Sequence, residues 1–283
     1  MDGPDVLQLA GKAVPVRAQR VDGAARISAH RDREGRSRIM HIYQRAPARL
    51  LFPQGPPGEP PLAVVVTTSG GLTGGDRVAI DVTAGAGATV AVTSQAAEKI
   101  YRCEDADCTV RIRLDAGPRA TIEWLAQETI LFDGARLDRA VDADLAPDSR
   151  LLAIESIVFG RSAMGERYSR GRLRDSWKVR RDGRPLWIDA FVLDDVEAER
   201  SAPFGLGDAQ AYATILLVAP DADRRRDAIR SLMADGGVRG GASAFDGMLI
   251  VRLLSADPMR LRAMIMAIGS SLRGAAMPRV WSC

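Results

Sequence analysis

VTAGAGATVAVTSQ (82–95) and LDAGPRATIEWLAQ (114–127) decide the fold, because the second repeats the first. Each closes one strand, turns tightly on Gly or Gly-Pro, and opens a second strand whose side chains alternate between apolar and polar. LAPDSRLLAIES (145–156) is a looser third copy, so the unit recurs about every 30 residues, a period at which chains stack supersecondary units. Stacked β coils are the predicted result. In such a stack each rung buries its inward face on the next, which places Val90, Ile122 and Leu151 at equivalent core positions. Three independent hairpins with similar turns are the alternative.

Outward from the repeats, PQGPPGEPP (53–61) lacks too many amide hydrogens to be a helix or a central strand and is predicted to be a loop. From Leu62 to about Val196 the pattern is short strands punctuated by Gly, Pro and Asp. The last third changes period. AYATILLVAP (211–220) and GMLIVRLLSAD (247–257) are predicted strands. DADRRRDAIRSLMADG (221–236) is a predicted helix, with Asp221 as its N-cap candidate and Gly236 just past its end. PMRLRAMIMAIGSSLRG (258–274) is another, opened by proline. Met259, Met264 and Met266 in it suit packing better than metal ligation. The expected architecture is mainly β, a solenoid-like, β-helix-like stack with a C-terminal α/β addition containing two helices. One domain over 1–283 is expected, divided into a mobile tail (1–25), a β-rich body (25–206) and the α/β part (207–283).

At 283 residues, 46% hydrophobic and 27% charged, the chain has the composition of an ordinary globular protein. Net charge is only +3, and clusters such as Arg224/Arg225/Arg226 are interleaved with acids, which argues against nucleic acid as a partner. Cys103, Cys108 and Cys283 are too few for a disulfide framework, and the N-terminal residues lack the layout of a signal peptide. The longest apolar runs fall far short of the ~20 residues that cross a bilayer. A cytoplasmic protein with no membrane association is expected.

Four stretches carry candidate chemistry. TTSGGLTGGD (67–76) resembles a phosphate loop but opens no helix and ends on Asp76, which would repel phosphate. Gly70, Gly71, Gly74 and Gly75 are better explained by a sharp corner in the β core. QAAEKIYRC (95–103) and WLAQETILFDGARL (124–137) follow equivalent strands, so Glu98, Glu128 and Asp133 are expected along one side of the stack. There they either line a divalent-cation route or pair with Arg102, Arg136 and Arg139 and cap turns. ESIVFGRSAMGERYSRGRL (155–173) adds Glu155 and Glu166, whose arginine neighbours weigh against glycosidase-type acid catalysis. Cys103 and Cys108 are four residues apart rather than at the commonest zinc spacing, and His30 and His41 have no catalytic motif around them.

These stretches, SGGLTGGD (69–76), QAAEKIYR (95–102), WLAQETILFDGARL (124–137) and FGRSAMGERYSRGRL (159–173), resemble the UreD (UreH) urease accessory family in order and spacing. DGRPLWIDAF (182–191) and PRVW (278–281) add to the resemblance. It implies a non-enzymatic scaffold that binds apo-urease and UreF, reaches the GTPase UreG through UreF, and binds no permanent cofactor while nickel passes through its interior. Asp76, Glu98, Glu128, Glu155 and Glu166 are the carboxylates expected on that route, with the four glycines shaping the backbone around it. A solenoid carbohydrate hydrolase and a pure assembly scaffold without metal passage are the rival readings. TTSGG departs from the family's frequent Asn-Pro-Ser-Gly-Gly, and Cys103 stands where serine is common.

Overall fold

The computed structural model describes residues 20–56, 58–234 and 236–282. The chain runs through β1 (Asp22–Arg31), β2 (Ser37–Arg45), β3 (Ala48–Leu51), β4 (Leu62–Thr67), β5 (Arg77–Ala84), β6 (Thr89–Ser94), β7 (Glu98–Ile100) and β8 (Cys108–Ala116). It continues through β9 (Thr121–Leu125), β10 (Thr129–Leu131), β11 (Arg136–Leu145), β12 (Arg150–Phe159), β13 (Arg172–Arg181) and β14 (Arg184–Leu193). The last part comprises α1 (Val196–Ser201), β15 (Ala211–Val218), α2 (Ala222–Ala234), β16 (Arg239–Phe245), β17 (Met248–Ser255) and α3 (Pro258–Arg273).

The repeat units are rungs of a β-solenoid of about four turns, as the period predicts. Each supplies one strand to either of two facing sheets. β5, β8 and β11 pair in parallel in the first sheet, whose full order is β14-β13-β11-β8-β5-β1-β2. β6, β9 and β12 pair in parallel in the second, whose main path is β16-β17-β15-β12-β9-β6-β4-β3. Val90 is in register with Ile122, and Ile122 with Leu151, all fully buried. Across from them Val82, Leu114 and Ala143 form the matching row. Each fully buried Val, Leu or Ile contributes roughly 1.5–3 kcal/mol, and the stack repeats that gain at every rung.

The second sheet is apolar on both faces because the C-terminal part covers its outside. β15 pairs antiparallel with β12 and is buried at every position, which explains why AYATILLV is a continuous apolar run rather than an alternating one. Leu261, Ile265 and Ile268 of α3 and Ile229 of α2 close over Leu125, Ile154 and Ile215. α3 begins where the Asp257 carboxylate caps the Met259 amide at 2.8 Å and ends at a left-handed Gly274. Asp221 precedes α2, but its carboxylate is bonded to the Arg150 and Arg225 side chains rather than capping a helix amide.

One boundary differs from expectation. Asp22–Ala25, placed in the expected tail, already pair with β5, with Ala24 and Ala25 buried; residues 1–19 of that stretch lie outside the described residues. The β1–β2 hairpin falls within the expected β-rich body, although neither strand was read individually from the sequence. Among the described residues no helix is long and apolar enough to cross a membrane.

Candidate functional site

The motif stretches meet along a third wall, between the two sheets. β7 and β10 pair in parallel, β10 pairs with the end of β12, and Leu72 bridges to Ile100. The row Leu72, Ile100, Leu131 and Phe159 is buried throughout, one residue from each of the four stretches. Strands of three residues are too short to show alternation, so the sequence placed these stretches on one side of the stack without marking them as strands.

The corner before it is closed by glycine. A Cβ on Gly71, at φ +150°, would stand 2.6 Å from the Tyr101 ring and 2.7 Å from the Lys99 carbonyl oxygen. One on Gly74 would overlap Cys103 Sγ and the Ala106 carbonyl oxygen. The Gly70 carbonyl accepts the Tyr101 hydroxyl at 2.7 Å, and Gly75 lies against Arg20. The loop leads into β5 rather than a helix, so the glycines serve close backbone approach.

Between this wall and the two sheets lies a cavity of about 260 Å³. Its sides are apolar, with Ile80, Ile112 and Trp124, while Glu98 and Glu155 are the carboxylates that line it. Glu98 accepts the Thr67 hydroxyl and the Lys99 amide, and burial raises its pKa despite both. Glu155 is buried, accepts Trp124 Nε1 at 2.7 Å, and pairs with Arg139. Burial raises its pKa as well, opposed by Arg139. Arg139 also grips Asp175 through two bonds of 2.9 and 2.8 Å. Burial works against the Arg139 charge, and Asp175 and Glu155 outweigh it.

The other candidate acids do not face the cavity. Asp76 is buried and accepts the Val21 and Thr73 amides, each at 2.8 Å, which ties the start of β1 to the glycine corner. Glu128 pairs with Arg262 of α3 at 2.6 Å. The register opposes Glu98 to Thr129, so Glu128 has the opposite parity and cannot share a side with Glu98. Glu166 accepts the Asp133 amide at 2.7 Å and Arg161 Nε at 2.8 Å, and Asp133 in turn accepts the Ser169 and Arg170 amides. The expected row of Glu98, Glu128 and Asp133 therefore divides into a cavity group, a helix anchor and a loop cap. Glu155 and Glu166, the pair weighed for glycosidase chemistry, belong to separate networks, each on its own arginine.

Sequence reasoning missed Arg139 and Asp175 as a cavity-floor network. The signal was present: Leu137, Arg139, Val141 and Ala143 share one parity on β11, as do Leu173, Asp175 and Trp177 on β13, so a charge sits in the core phase of each strand. Burial, with the Asp76 and Glu98 charges, pushes the Cys108 thiol up to about 12, so it stays protonated and is a poor metal ligand at neutral pH. Cys103 is half-buried beside Gly74, and Cys283 lies outside the described residues. His30 and His41 come within 6.3 Å across the β1–β2 hairpin. Among the described residues no group of three or more His, Cys, Asp or Glu is arranged to hold a metal ion.

A family model described as "UreD urease accessory protein" matches residues 21–282. A urease accessory protein UreD of Magnetococcus marinus is 42% identical over 275 residues, covering 93% of this chain and 95% of that protein. One of Agrobacterium fabrum is 41% identical over 270 residues, covering 95% and 93%. Another, of Rhizobium leguminosarum bv. viciae, is 41% identical over 272 residues, covering 95% and 98%.

Proposed function

Because the chain belongs to the UreD urease accessory protein family, we propose that it bridges apo-urease to UreF, and through UreF to the GTPase UreG, while offering nickel a passage through its interior. An accessory role in urease maturation follows from the membership, and the family is one of accessory proteins rather than catalysts.

The observation that supports a passage is the cavity between the sheets, with Glu98 and Glu155 on its lining. Nickel exchanges readily among carboxylate, water and backbone oxygens, whereas thiolates hold it. Two carboxylates with a protonated Cys108 thiol nearby suit transit over storage. On this reading Glu98 and Glu155 are the route's carboxylates, and Asp76, Glu128 and Glu166 belong to the framework around it. Glu98→Gln is expected to lower the nickel content of urease matured with it while UreF and apo-urease still co-purify. Unchanged nickel content removes Glu98 from the route, and failure of the wild-type chain to co-purify with either partner ends the bridging role.

A second reading, assembly without metal passage, is favoured by the arginine partners of Glu128, Glu155 and Glu166. Ala96→Leu, which adds bulk at the cavity lining, separates the two. A complete complex that delivers less nickel supports passage; one that delivers the normal amount supports assembly alone.

A further inference from the structure

The outer face of the first sheet is a field of charges that mostly neutralise one another. Arg26 pairs with Asp81 at 2.8 Å, Arg111 with Asp138 at 2.8 Å, Arg113 with Asp115 at 3.0 Å, and Arg172 with Asp194 at 2.9 Å. Arg180 is held by Asp144. Next to the free edge this pattern breaks. Arg174 and Lys178, exposed on β13, make no ion pair among the described residues, although Lys178 stands in register with Asp142.

The edge strand itself is β14. Val192, Ala190 and Ile188 lie directly opposite Arg174, Ser176 and Lys178, so all six side chains share the outer face. Ile188 is 66% exposed and Val192 41%. The inward residues of β14, Trp187 and Phe191, already pack on Trp177 and Tyr212. Edge strands are ordinarily protected by outward charge. Here the outward column is apolar, and the unpaired cations stand one strand further in.

We infer that β13 and β14 form a docking strip for an amphipathic, acid-flanked helix of a partner protein, its apolar face on Ile188, Ala190 and Val192 and its acids toward Arg174 and Lys178. The dimensions agree. Four residues of strand span about 13 Å. A helix lying along them covers that length in about nine residues, presenting apolar side chains at i, i+4 and i+8. Acids spaced to meet two cations about 13 Å apart lie on its flank. Burial of the apolar column supplies affinity, and the two cations supply orientation and a salt-dependent on-rate.

This inference rests on the docking role proposed above, and the same probes test it. Full-length chain is immobilised and the binding of UreF and of apo-urease from the same organism is measured by biolayer interferometry. Arg174→Glu/Lys178→Glu, and separately Ile188→Asp, are expected to weaken binding of one probe at least tenfold, while Arg77→Glu, an exposed position on β5 of the same sheet, leaves it unchanged. These side chains are exposed, and an unchanged melting temperature confirms that the variants fold. Wild-type affinity within twofold in both variants overturns the inference, as does an equal loss on Arg77→Glu, which would reveal a diffuse field. Self-association of the wild type that Ile188→Asp abolishes assigns the strip to a second copy instead and also overturns it. A wild-type chain that binds neither probe overturns the docking role and the inference with it; binding that survives both variants overturns the inference alone.

Discussion

Replacing Arg139 by methionine tests what holds the floor of the cavity. Its guanidinium joins the two sheets: it is bonded to Asp175 beside it in the first and to Glu155 in the second, and all three side chains are at most 3% exposed. Two carboxylates and one cation leave the group one negative charge in excess. Methionine matches much of the volume but strands both acids, and breaking a buried ion pair on one side costs about 3–5 kcal/mol. At roughly 2–4 °C per kcal/mol for a chain of this order, the melting temperature should fall by about 10 °C. Urea titrations at neutral pH give the free-energy difference, with an unchanged slope as evidence that the same surface unfolds. Adding Glu155→Gln and Asp175→Asn to Arg139→Met should recover at least half the loss. The sign with pH is fixed by Glu155: burial raises its pKa, so its contribution favours the fold where it is protonated and is lost as pH rises through its folded value. The gap between Arg139→Met and wild type should therefore narrow on acidification. A cost under about 1 kcal/mol, or a triple variant no better than the single one, refutes the stranded-charge account.

Two further outcomes follow from the geometry. Gly74→Ala drives a methyl into Cys103 Sγ and the backbone oxygen of Ala106, and since a carbonyl cannot swing aside, a loss of about 1–3 kcal/mol is expected by thermal denaturation. At the β1–β2 turn, the amide of Arg36 and the side chains of Arg38 and Arg36 outweigh burial and hold the Asp32 carboxyl at about 2. Its contribution is present above the ordinary carboxyl range and is lost as pH falls toward that value. Asp32→Asn should thus flatten the acid limb of a stability profile between roughly pH 4 and 2.

The repeats were legible because a period of two between marked turns is both the sequence pattern and the physical cause of a stacked sheet. The two long helices were equally plain, since Pro258 and Gly274 mark the ends of α3 as they would in any helix. β2 was not legible: it is an edge strand exposed along most of its length, so SRIMHIYQR has no buried parity to display. For the site, the stretches that carry it were found, but the directions of their acids were not. Glu98 and Glu128 occupy comparable places after successive strands, and only the pairing of Glu98 with Thr129 shows that they point oppositely. Arg139 was expected only as a partner for the nearby acids, and Asp175 was not singled out, although both lie in the core phase of their strands, because charge on a strand usually faces solvent.

The C-terminal helices do more than complete a core. By sealing the outer surface of one sheet and leaving the other bare, they give the molecule a back and a front. Whatever approaches from behind meets rounded helical ridges already fastened to the body, such as α3 through the Arg262–Glu128 bond. From the front it meets a pleated plate whose columns repeat about every 4.8 Å. A surface that fits one side of this chain is therefore the wrong shape for the other.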